Sequence, residues 1–383
     1  MSANVCKNTI SNYRMHIKKL KLNHFRNHPG KTFEFTNGYN CFYGSNGAGK
    51  TNVLDALHFL SEGKSYFTRT DANAIEFDNS FALIEALLIQ GDEDIKLKIG
   101  LERDGKKSLR RNGLAIKKLS DYIGMLPTIM ITPGDIKLIT GYAEERRRFM
   151  DRMISHTDNN YLKKLLEHNK LLEARNEMLR QFFKQRHTDM LALESIDVQL
   201  APLIEDISER RSRFVIQLEE PLQELYAQLT GAKESISLSL SGAVEYGTGL
   251  SYLKQNHQTD LFAQRTTQGI HKDDLVIDIN GHSVRSFGSQ GQVKSVTIAM
   301  YLAAYKVLQQ EAGKKPLLLL DDIFEKIDDE RSSQLLELIS SDDYGQIFIT
   351  DTSLDRLKSK LKDVKADKKF FNIERSINSH LNE

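Results

Sequence analysis

Short segments with alternating apolar and polar residues dominate the first part of the chain and predict β-strands. One such segment covers residues 33–35, and two longer ones, residues 81–89 and 95–101, are predicted to pair with each other. Asp-Gly within residues 103–107 and Asn-Gly at residues 112–113 are dipeptides that favour tight hairpin turns. This part of the chain is therefore predicted to contain an antiparallel subdomain.

The pattern changes over residues 142–230, which contain few glycines and have apolar residues at spacings of three and four. Two long antiparallel helices with a turn within residues 185–188 would bury both apolar stripes. A third element should pack on them, because an isolated helix pair is marginally stable. The first stripe is Tyr161, Leu165, Leu172 and Leu179; the second is Leu193, Ile196, Leu200, Leu203, Ile207 and Phe214.

Pro202 and Pro221 are expected to kink or restart the second of these helices, because proline lacks the backbone N–H that a helix uses. An ordinary helical domain and a projecting arm fit the two stripes equally well. Strands and turns are predicted for residues 231–287, with a turn at Asn280-Gly281.

The last third returns to an α/β pattern, with a helix over residues 288–310 and strands over 316–320 and 346–349. The α/β parts at the two ends are therefore predicted to form one domain that is split by the helical insertion. The predicted divisions are a disordered tail (1–14), the first part of the domain (15–141), the helical arm (142–265) and the second part of the domain (266–383).

One glycine-rich segment matches the phosphate-binding pattern G-x-x-x-x-G-K-[ST] at every fixed position. A buried strand, Tyr39–Tyr43, is predicted before it and an amphipathic helix after it, which is the context that this motif requires. Its backbone N–H groups and the helix N-terminus would bind the phosphates of ATP or GTP. Lys50 would contact the β- and γ-phosphates, and the Thr51 hydroxyl would ligate Mg²⁺. The loop comprises Gly44, Ser45, Asn46, Gly47, Ala48, Gly49, Lys50 and Thr51.

An apolar run, residues 317–320, ends in Asp321 and Asp322. A wholly apolar strand is typical of a parallel sheet that is buried on both faces, and ligands bind at the carboxyl ends of such strands. Asp321 is predicted to hold Mg²⁺ with Thr51. Asp322 is predicted to be catalytic with Lys50, by orienting the attacking water or accepting its proton.

The segment Ser289, Gln290, Gly291 and Gln292 opens the predicted helix of residues 288–310. Ser289 is a suitable N-cap, and a helix start with free N–H groups can bind an anion. The segment is similar to the Ser-Gly-Gly-Gln signature that contacts a partner's γ-phosphate in ATP-binding cassettes. Without the other two motifs, a capped helix without a ligand would be the simpler interpretation.

Composition limits the partners of the chain. Among 383 residues, 53 are Lys or Arg and 52 are Asp or Glu, so any nucleic-acid contact must use a local basic patch. The two cysteines, Cys6 and Cys41, predict neither a disulfide framework nor a zinc site and fit a reducing cytoplasm. No apolar run approaches the roughly 20 residues of a membrane helix, so no membrane partner is expected.

The motifs together resemble the RecF family of bacterial recombination-mediator ATPases, which are related to SMC proteins. The resemblance covers Met15 to about Ser353 and therefore most of the chain. Besides the phosphate-binding loop, it is carried by LKLNHFRN (residues 20–27), TPGD (132–135), ERRRFMD (145–151), GIHKDD (269–274) and LLLLDDIFEKID (317–328).

This resemblance implies an α/β fold, an ABC/SMC-type P-loop ATPase head split by an inserted, mainly helical arm. It implies an ATP-dependent homodimer in which the signature segment of one chain meets ATP on the other, with residues 325–328 as a dimer-facing loop. Such a dimer would bind DNA, especially at gaps, and would act with RecR and RecO to load RecA on single strands. Arg26, near the first strands, is a further hypothesis for a nucleotide contact.

The segment Thr350, Asp351 and Thr352 departs from transporter cassettes, which have a histidine there to contact the γ-phosphate. An aspartate cannot donate a hydrogen bond at neutral pH, so slow hydrolysis is expected, with a threonine as the substitute contact. Candidate DNA contacts are Arg103, Lys106, Lys107, Arg110, Arg111, Lys117, Lys118 and Arg146, Arg147 and Arg148. A solvated charged face fits each of these two groups as well.

Three other functions are alternatives to this one. A transporter motor subunit would normally have a plain Ser-Gly-Gly-Gln signature and the late histidine. A structural DNA tether of the SMC type would need a far longer arm than the roughly 90 helical residues available. An ATP-dependent nuclease would need an additional acid-rich metal domain.

Overall fold

The computed structural model describes residues 15–325 and 329–374. The predicted tail, residues 1–14, and most of the predicted dimer-facing loop, residues 326–328, lie outside these described residues.

The strands of the described residues, in chain order, are β1 (Met15–Phe25), β2 (His28–Glu34), β3 (Tyr39–Tyr43), β4 (Phe81–Gln90), β5 (Glu93–Glu102), β6 (Lys107–Arg111), β7 (Leu114–Ala115), β8 (Thr128–Ile131), β9 (Ile236–Ser241), β10 (Asp274–Ile279), β11 (His282–Ser283), β12 (Leu317–Leu320), β13 (Ile347–Asp351) and β14 (Lys368–Asn372). The α-helices are α1 (Lys50–Glu62), α2 (Lys137–Thr140), α3 (Ala143–Thr157), α4 (Asn159–Gln185), α5 (Met190–Thr230), α6 (Gly249–Gln255), α7 (His257–Ala263), α8 (Val284–Phe287), α9 (Gln290–Ala312), α10 (Asp329–Ile339) and α11 (Leu354–Lys360).

The chain divides into two compact units, and the first of them is discontinuous in sequence. It comprises the described residues up to Asp135 together with those from Ala304 onward, whereas the second is Ile136–Ala303. The second unit thus includes residues 266–303, which the sequence prediction had assigned to the ATPase head. The first unit is nevertheless discontinuous in sequence, with the second unit inserted into it.

The first unit contains two sheets. The predicted antiparallel subdomain is a six-stranded sheet in the order β2-β1-β4-β5-β6-β7, with tight turns at the two predicted dipeptides. The second sheet has the order β14-β3-β13-β12-β8, and each neighbouring pair is parallel. All four leucines of β12 are fully buried between its neighbours, as the apolar run predicts.

Helix α1 lies at the centre of this unit. Nearly all of its side chains are buried, and it contacts β4 and β5 of the antiparallel sheet and β8 and β13 of the parallel sheet. The helix is amphipathic in sequence, as predicted, but its polar residues Asp55, His58, Ser61 and Glu62 are buried as well as its apolar ones, because sheets cover it on more than one side. Cys41 is buried in β3.

The second unit is built on α4 and α5, which have 27 and 41 residues and pack against each other. The turn between them lies where the sequence predicts it, and α3, α6 and β9 supply the expected further packing. Pro202 and Pro221 lie inside α5 and do not restart it, because the helix is held by buried side chains on both sides of each proline. Helices α6 and α7 replace part of the strands predicted for residues 231–287. Among the described residues, no helix is long and apolar enough to span a bilayer.

Buried ion pairs, which the apolar stripes do not predict, join the helices of the second unit. Arg175 is fully buried and donates to Asp197 and Asp260, both at 2.6 Å. Arg211 donates to Asp273 at 2.7 Å and also to Asp151. Removing one partner of such a pair is strongly destabilising, because it leaves an uncompensated buried charge.

His168 of α4 should make the stability of the protein depend on pH. Burial lowers its pKa from 6.5 to about 4. The unfolded chain therefore binds more protons between these two values, and stability falls as the pH falls through 6.5. We expect His168 to account for about 2 kcal/mol of the stability lost between pH 7 and pH 5.

Denaturant unfolding at both pH values, compared with His168→Gln, measures this contribution. The variant should lose less stability on acidification than the wild type. His187→Gln, at an exposed histidine in the turn after α4, is the control. Equal pH dependence of His168→Gln and wild type would contradict the prediction.

Candidate functional site

The carboxyl edge of the parallel sheet brings the predicted site residues of the first unit together. The phosphate-binding loop follows β3, Asp321 and Asp322 follow β12, and Thr350 lies near the end of β13. Because the strands are parallel and in register, these ends meet at one edge. Residues that are 270 or more positions apart in sequence are thus neighbours.

The loop itself has the backbone that its glycines allow. Gly44, Gly47 and Gly49 have φ values of 149°, 80° and 108°, in the region that side chains disfavour. A Cβ atom at Gly44 would lie 2.2 Å from the carbonyl oxygen of Ile373, whereas one at Gly47 would meet no atom within 4 Å. The loop is therefore packed tightly against the residue that follows β14 at its start and is open around Gly47, where a phosphate would enter.

Lys50 begins α1 and is buried, with 4% exposure. Its ammonium donates hydrogen bonds to the carbonyl oxygens of Gly44 at 2.9 Å and Ser45 at 3.2 Å. The side chain therefore folds back along the loop, which places its charge where the loop curls. The contact with β- and γ-phosphates remains a prediction, and it would use this charge.

Thr51 and Asp321, the predicted Mg²⁺ ligands, are in direct contact. The Thr51 hydroxyl donates to Asp321 Oδ1 at 2.9 Å. Burial raises the pKa of Asp321 to about 6, against the hydrogen bonds from Thr350 and Thr51. A divalent cation favours the ionised form of such a carboxyl group and prefers oxygen ligands, so these two residues fit Mg²⁺.

Arg26, the hypothetical nucleotide contact, is bound to α1. Its guanidinium donates to Asp55 Oδ2 from Nε at 2.9 Å and from a terminal nitrogen at 2.5 Å, and it also donates to Ser65. Asp55 has no exposed side-chain surface and also accepts the backbone N–H of Tyr66 at 2.7 Å. The pair therefore fixes the loop after α1, and a nucleotide contact remains a hypothesis.

Replacing Arg26 by alanine should destabilise the protein even without nucleotide, by about 3 kcal/mol, because Asp55 would be left as an unpaired buried charge. Thermal unfolding of Arg26→Ala and of Arg26→Ala/Asp55→Asn tests this, and the second variant should recover part of the loss. ATP affinity of the folded variants tests the nucleotide contact separately. A single variant as stable as the wild type would contradict the structural role.

Two residues that sequence reasoning did not single out hold the loop from behind. Asn27 donates to the carbonyl oxygen of Ala48 at 2.8 Å, and His28 Nε2 lies 3.1 Å from that of Gly49. Burial lowers the pKa of His28, so the neutral ring carries its proton on Nε2 to donate this bond. The sequence does mark Asn27, because it is the last residue of the LKLNHFRN segment that resembles the RecF family.

Asp351 does not face the site as an isolated carboxylate. It is buried and accepts hydrogen bonds from Arg356 at 2.8 and 2.7 Å and from the backbone N–H of Ser353 at 2.7 Å. Arg356 also donates to Thr352 at 3.0 Å. Thr350 is the remaining residue of this segment, and its hydroxyl contacts both Asp321 and the backbone of Asp322.

The signature segment belongs to the second unit and begins α9. Ser289 is the N-cap that the sequence predicts: its hydroxyl accepts the N–H of Gln292 at 3.2 Å, and its own N–H donates to the Gln292 side chain at 2.7 Å. This is a reciprocal capping box. Gln292 also donates to Glu234 at 2.6 Å. Ser289 and Gln290 are exposed and Gly291 is half-buried.

Most of the predicted basic contacts prove to be engaged within the chain. Arg146 is buried and binds Asp274 through two hydrogen bonds, and Arg147 donates to the carbonyl oxygen of Asp273. Arg146 and Arg147 therefore join the motif at residues 145–151 to that at 269–274, whereas Arg148 is exposed, pairs with Glu144 and remains a candidate DNA contact.

Three of the candidate DNA contacts between residues 103 and 118 are also engaged within the chain. Arg103 donates to the backbone carbonyls of Glu76, Phe77 and Asn79. Lys106 pairs with Asp104, and Lys107 pairs with Asp71. The exposed cations Arg110, Arg111, Lys117 and Lys118 remain as candidates.

An exposed cationic row crosses the outer face of the antiparallel sheet. The strand register places Lys21, Glu85, Lys98 and Arg110 side by side on β1, β4, β5 and β6. Lys98 and Lys21 both pair with Glu85, at 3.1 and 3.9 Å. Three cations and one acid leave the row with a net positive charge.

Comparison with known proteins agrees with this architecture. The family described as RecF/RecN/SMC N terminal domain matches residues 16–369. The chain is 39% identical over 362 residues to the DNA replication and repair protein RecF of Flavobacterium johnsoniae, covering 94% of this chain and all of that protein. It is 36% identical to the protein of the same name from Phocaeicola vulgatus, covering 94% of this chain and 97% of that protein.

Solved structures give the same result. A structure described as the recombination mediator protein RecF with ATP matches with a TM-score of 0.85 and 29% identity, covering 96% of this chain and 97% of that chain. An Smc head domain from Pyrococcus furiosus matches with a TM-score of 0.57 and 19% identity, covering 94% of each chain, which shows a shared fold. The chain thus has the predicted ABC/SMC-type P-loop ATPase fold, and it belongs to the RecF family.

Proposed function

We propose that this chain is an ATP-dependent DNA-binding protein of recombinational repair and replication restart, acting in the cytoplasm. The observation that carries the proposal is the meeting of the phosphate-binding loop with Asp321 at one sheet edge, within a chain of the RecF family. ATP would bind along Gly44–Thr51. Thr51 and Asp321 would hold Mg²⁺, which would supply positive charge beside the phosphates.

ATP would close a homodimer, in which the signature segment Ser289–Gln292 of one chain contacts the γ-phosphate bound by the other. The exposed start of α9 supports this role, because it lies open to a second molecule. Asp322 and Lys50 would catalyse slow hydrolysis, which releases the dimer. ATP can favour the closed dimer only by binding it more tightly than the single chain.

The dimer would bind duplex DNA and duplex–single-strand junctions and would help to load RecA on single-stranded DNA, with RecR and RecO as partners. Membership of the RecF family favours this function over a transporter motor subunit or a structural tether of the SMC type. The cationic row on the antiparallel sheet is the DNA surface that the charges support best, since phosphate contacts need exposed cations.

Arg110→Glu should weaken binding of duplex DNA roughly equally for all sequences and should reduce the slope of log affinity against log salt by about one. Lys106→Glu is the matched control, because it makes the same charge change at a lysine already paired with Asp104. Fluorescence anisotropy with gapped and intact duplexes at several salt concentrations measures both. Equal effects of the two variants would remove the row as the DNA surface.

A further inference from the structure

Thr350 is the residue of the site whose role is least expected from the sequence. It is fully buried near the end of β13. Its Oγ1 lies 2.8 Å from Asp321 Oδ1 and also 2.8 Å from the backbone nitrogen of Asp322. One hydroxyl thus contacts both acids that follow β12.

The hydrogen-bonding capacity of a hydroxyl decides how these contacts are shared. It has one proton to donate and two lone pairs that accept. The proton goes to Asp321, because the alternative acceptor, Asp322 Oδ1, is 3.5 Å away, at the limit of a hydrogen bond. A lone pair accepts the N–H of Asp322. The same group therefore fixes the side chain of Asp321 and the backbone of Asp322.

The backbone of Asp322 is in an uncommon conformation. Its φ is 44°, in the left-handed region that residues other than glycine rarely adopt. Such a conformation persists only where the surrounding structure holds it, and it often marks a functional position. The hydrogen bond from the Asp322 N–H to Thr350 is a direct restraint on it.

We propose that Thr350 is a positioning residue for ATP hydrolysis, because its hydroxyl holds Asp322 in the left-handed conformation that sets the place of its carboxylate relative to Asp321 and Thr51. The inference rests on the proposed function, in which Asp322 orients the attacking water. The Thr350 hydroxyl then acts on Asp321 and Asp322 of its own chain. It does not replace the histidine that contacts the γ-phosphate in transporter cassettes.

The surroundings of Thr350 allow the hydroxyl to be tested without moving the strand. Parallel pairing holds β13 on both sides, to β12 through Ile349 and to β3 through Asp351. The ion pair of Asp351 with Arg356 secures the end of the strand independently. Thr350→Val keeps the shape of the side chain and removes only the hydroxyl, whereas Thr350→Ser keeps the hydroxyl.

The test compares ATP binding and hydrolysis in these two variants and the wild type. Calorimetry gives the dissociation constant for ATP, and single-turnover assays with excess protein make slow hydrolysis measurable. We expect Thr350→Val to bind ATP within about threefold of the wild type and to hydrolyse it at least about tenfold more slowly, the scale of lost acid–base positioning. Thr350→Ser, which keeps the hydroxyl, should hydrolyse ATP within about threefold of the wild-type rate.

A Thr350→Val variant that hydrolyses ATP at the wild-type rate would overturn the inference. So would an equal loss in Thr350→Ser, since the hydroxyl would then not be the determinant. Thermal unfolding checks that the variants are folded, and Thr350→Ala replaces the valine variant if that one is not. Asp322→Asn tests the proposed function separately from the role of Thr350: wild-type hydrolysis in this variant would refute the catalytic role of Asp322, whatever Thr350 does.

Discussion

Replacing Lys50 by alanine should reduce the affinity for ATP by about 100-fold or more, equivalent to roughly 3 kcal/mol, and should abolish hydrolysis. The ammonium is the charge that the proposed site would use to bind the phosphates, and its contacts in the nucleotide-free chain are two carbonyl oxygens of the loop. ATP would therefore exchange weak neutral acceptors for charged ones, and charge-assisted hydrogen bonds are about twice as strong.

Isothermal titration calorimetry is the suitable method, because the chain contains no tryptophan whose fluorescence could report binding. Lys50→Arg is a matched control that keeps the charge but changes its geometry, and it should recover only part of the affinity. Thermal unfolding should show similar stability of the nucleotide-free alanine variant and the wild type. Near-normal ATP affinity in Lys50→Ala would refute the assignment of this loop as the ATP site.

Replacing Ser289 by arginine should leave ATP binding intact and abolish ATP-dependent dimerisation. Ser289 is exposed at the start of α9, so a long side chain can be accommodated in the single chain. In the proposed dimer the same position faces the γ-phosphate bound by the partner, where the added bulk would prevent closure.

Ser289→Ala is the control for this variant, since it removes the capping hydroxyl without adding bulk. Losing the cap should cost about 1 kcal/mol of stability in both variants. Measuring mass with Mg-ATP then separates a lost cap from a blocked interface, because only the arginine variant should stay a single chain. A dimer of Ser289→Arg would contradict the contact with the partner's ATP.

The central α/β elements could be predicted because local patterns determine them. The strand Tyr39–Tyr43 has the predicted bounds, and the four leucines of β12 are buried as an apolar run requires. Both predicted hairpin turns are present because Asp-Gly and Asn-Gly favour them whatever the distant contacts.

The parts that escaped prediction depend on contacts between residues distant in sequence. β14 lies in a tail without a recognisable motif, yet it pairs with β3 and packs Ile373 against Gly44. The apolar stripe on α4 predicted Leu165 and Leu172, whereas the most deeply buried positions include His168 and Arg175. The carboxylates of Asp197 and Asp260 and the hydroxyl of Thr266, all outside α4, make an arginine acceptable there.

The partners of the basic residues also depend on contacts that are distant in sequence. Sequence reasoning could identify arginines and lysines but not their partners, so Arg146 was considered as a DNA contact although it binds Asp274 within the chain. The contacts at the carboxyl edge of the parallel sheet could not be predicted either, because nothing local to Thr350 indicates that its hydroxyl contacts two acids at the end of another strand.

The most direct test of the account is the mass of the protein in solution, measured by light scattering with and without Mg-ATP. We expect the mass to double with ATP in the wild type and to stay that of a single chain in Lys50→Ala and Ser289→Arg. A wild-type mass that is the same with and without ATP would contradict the ATP-closed dimer, even if calorimetry showed that ATP binds.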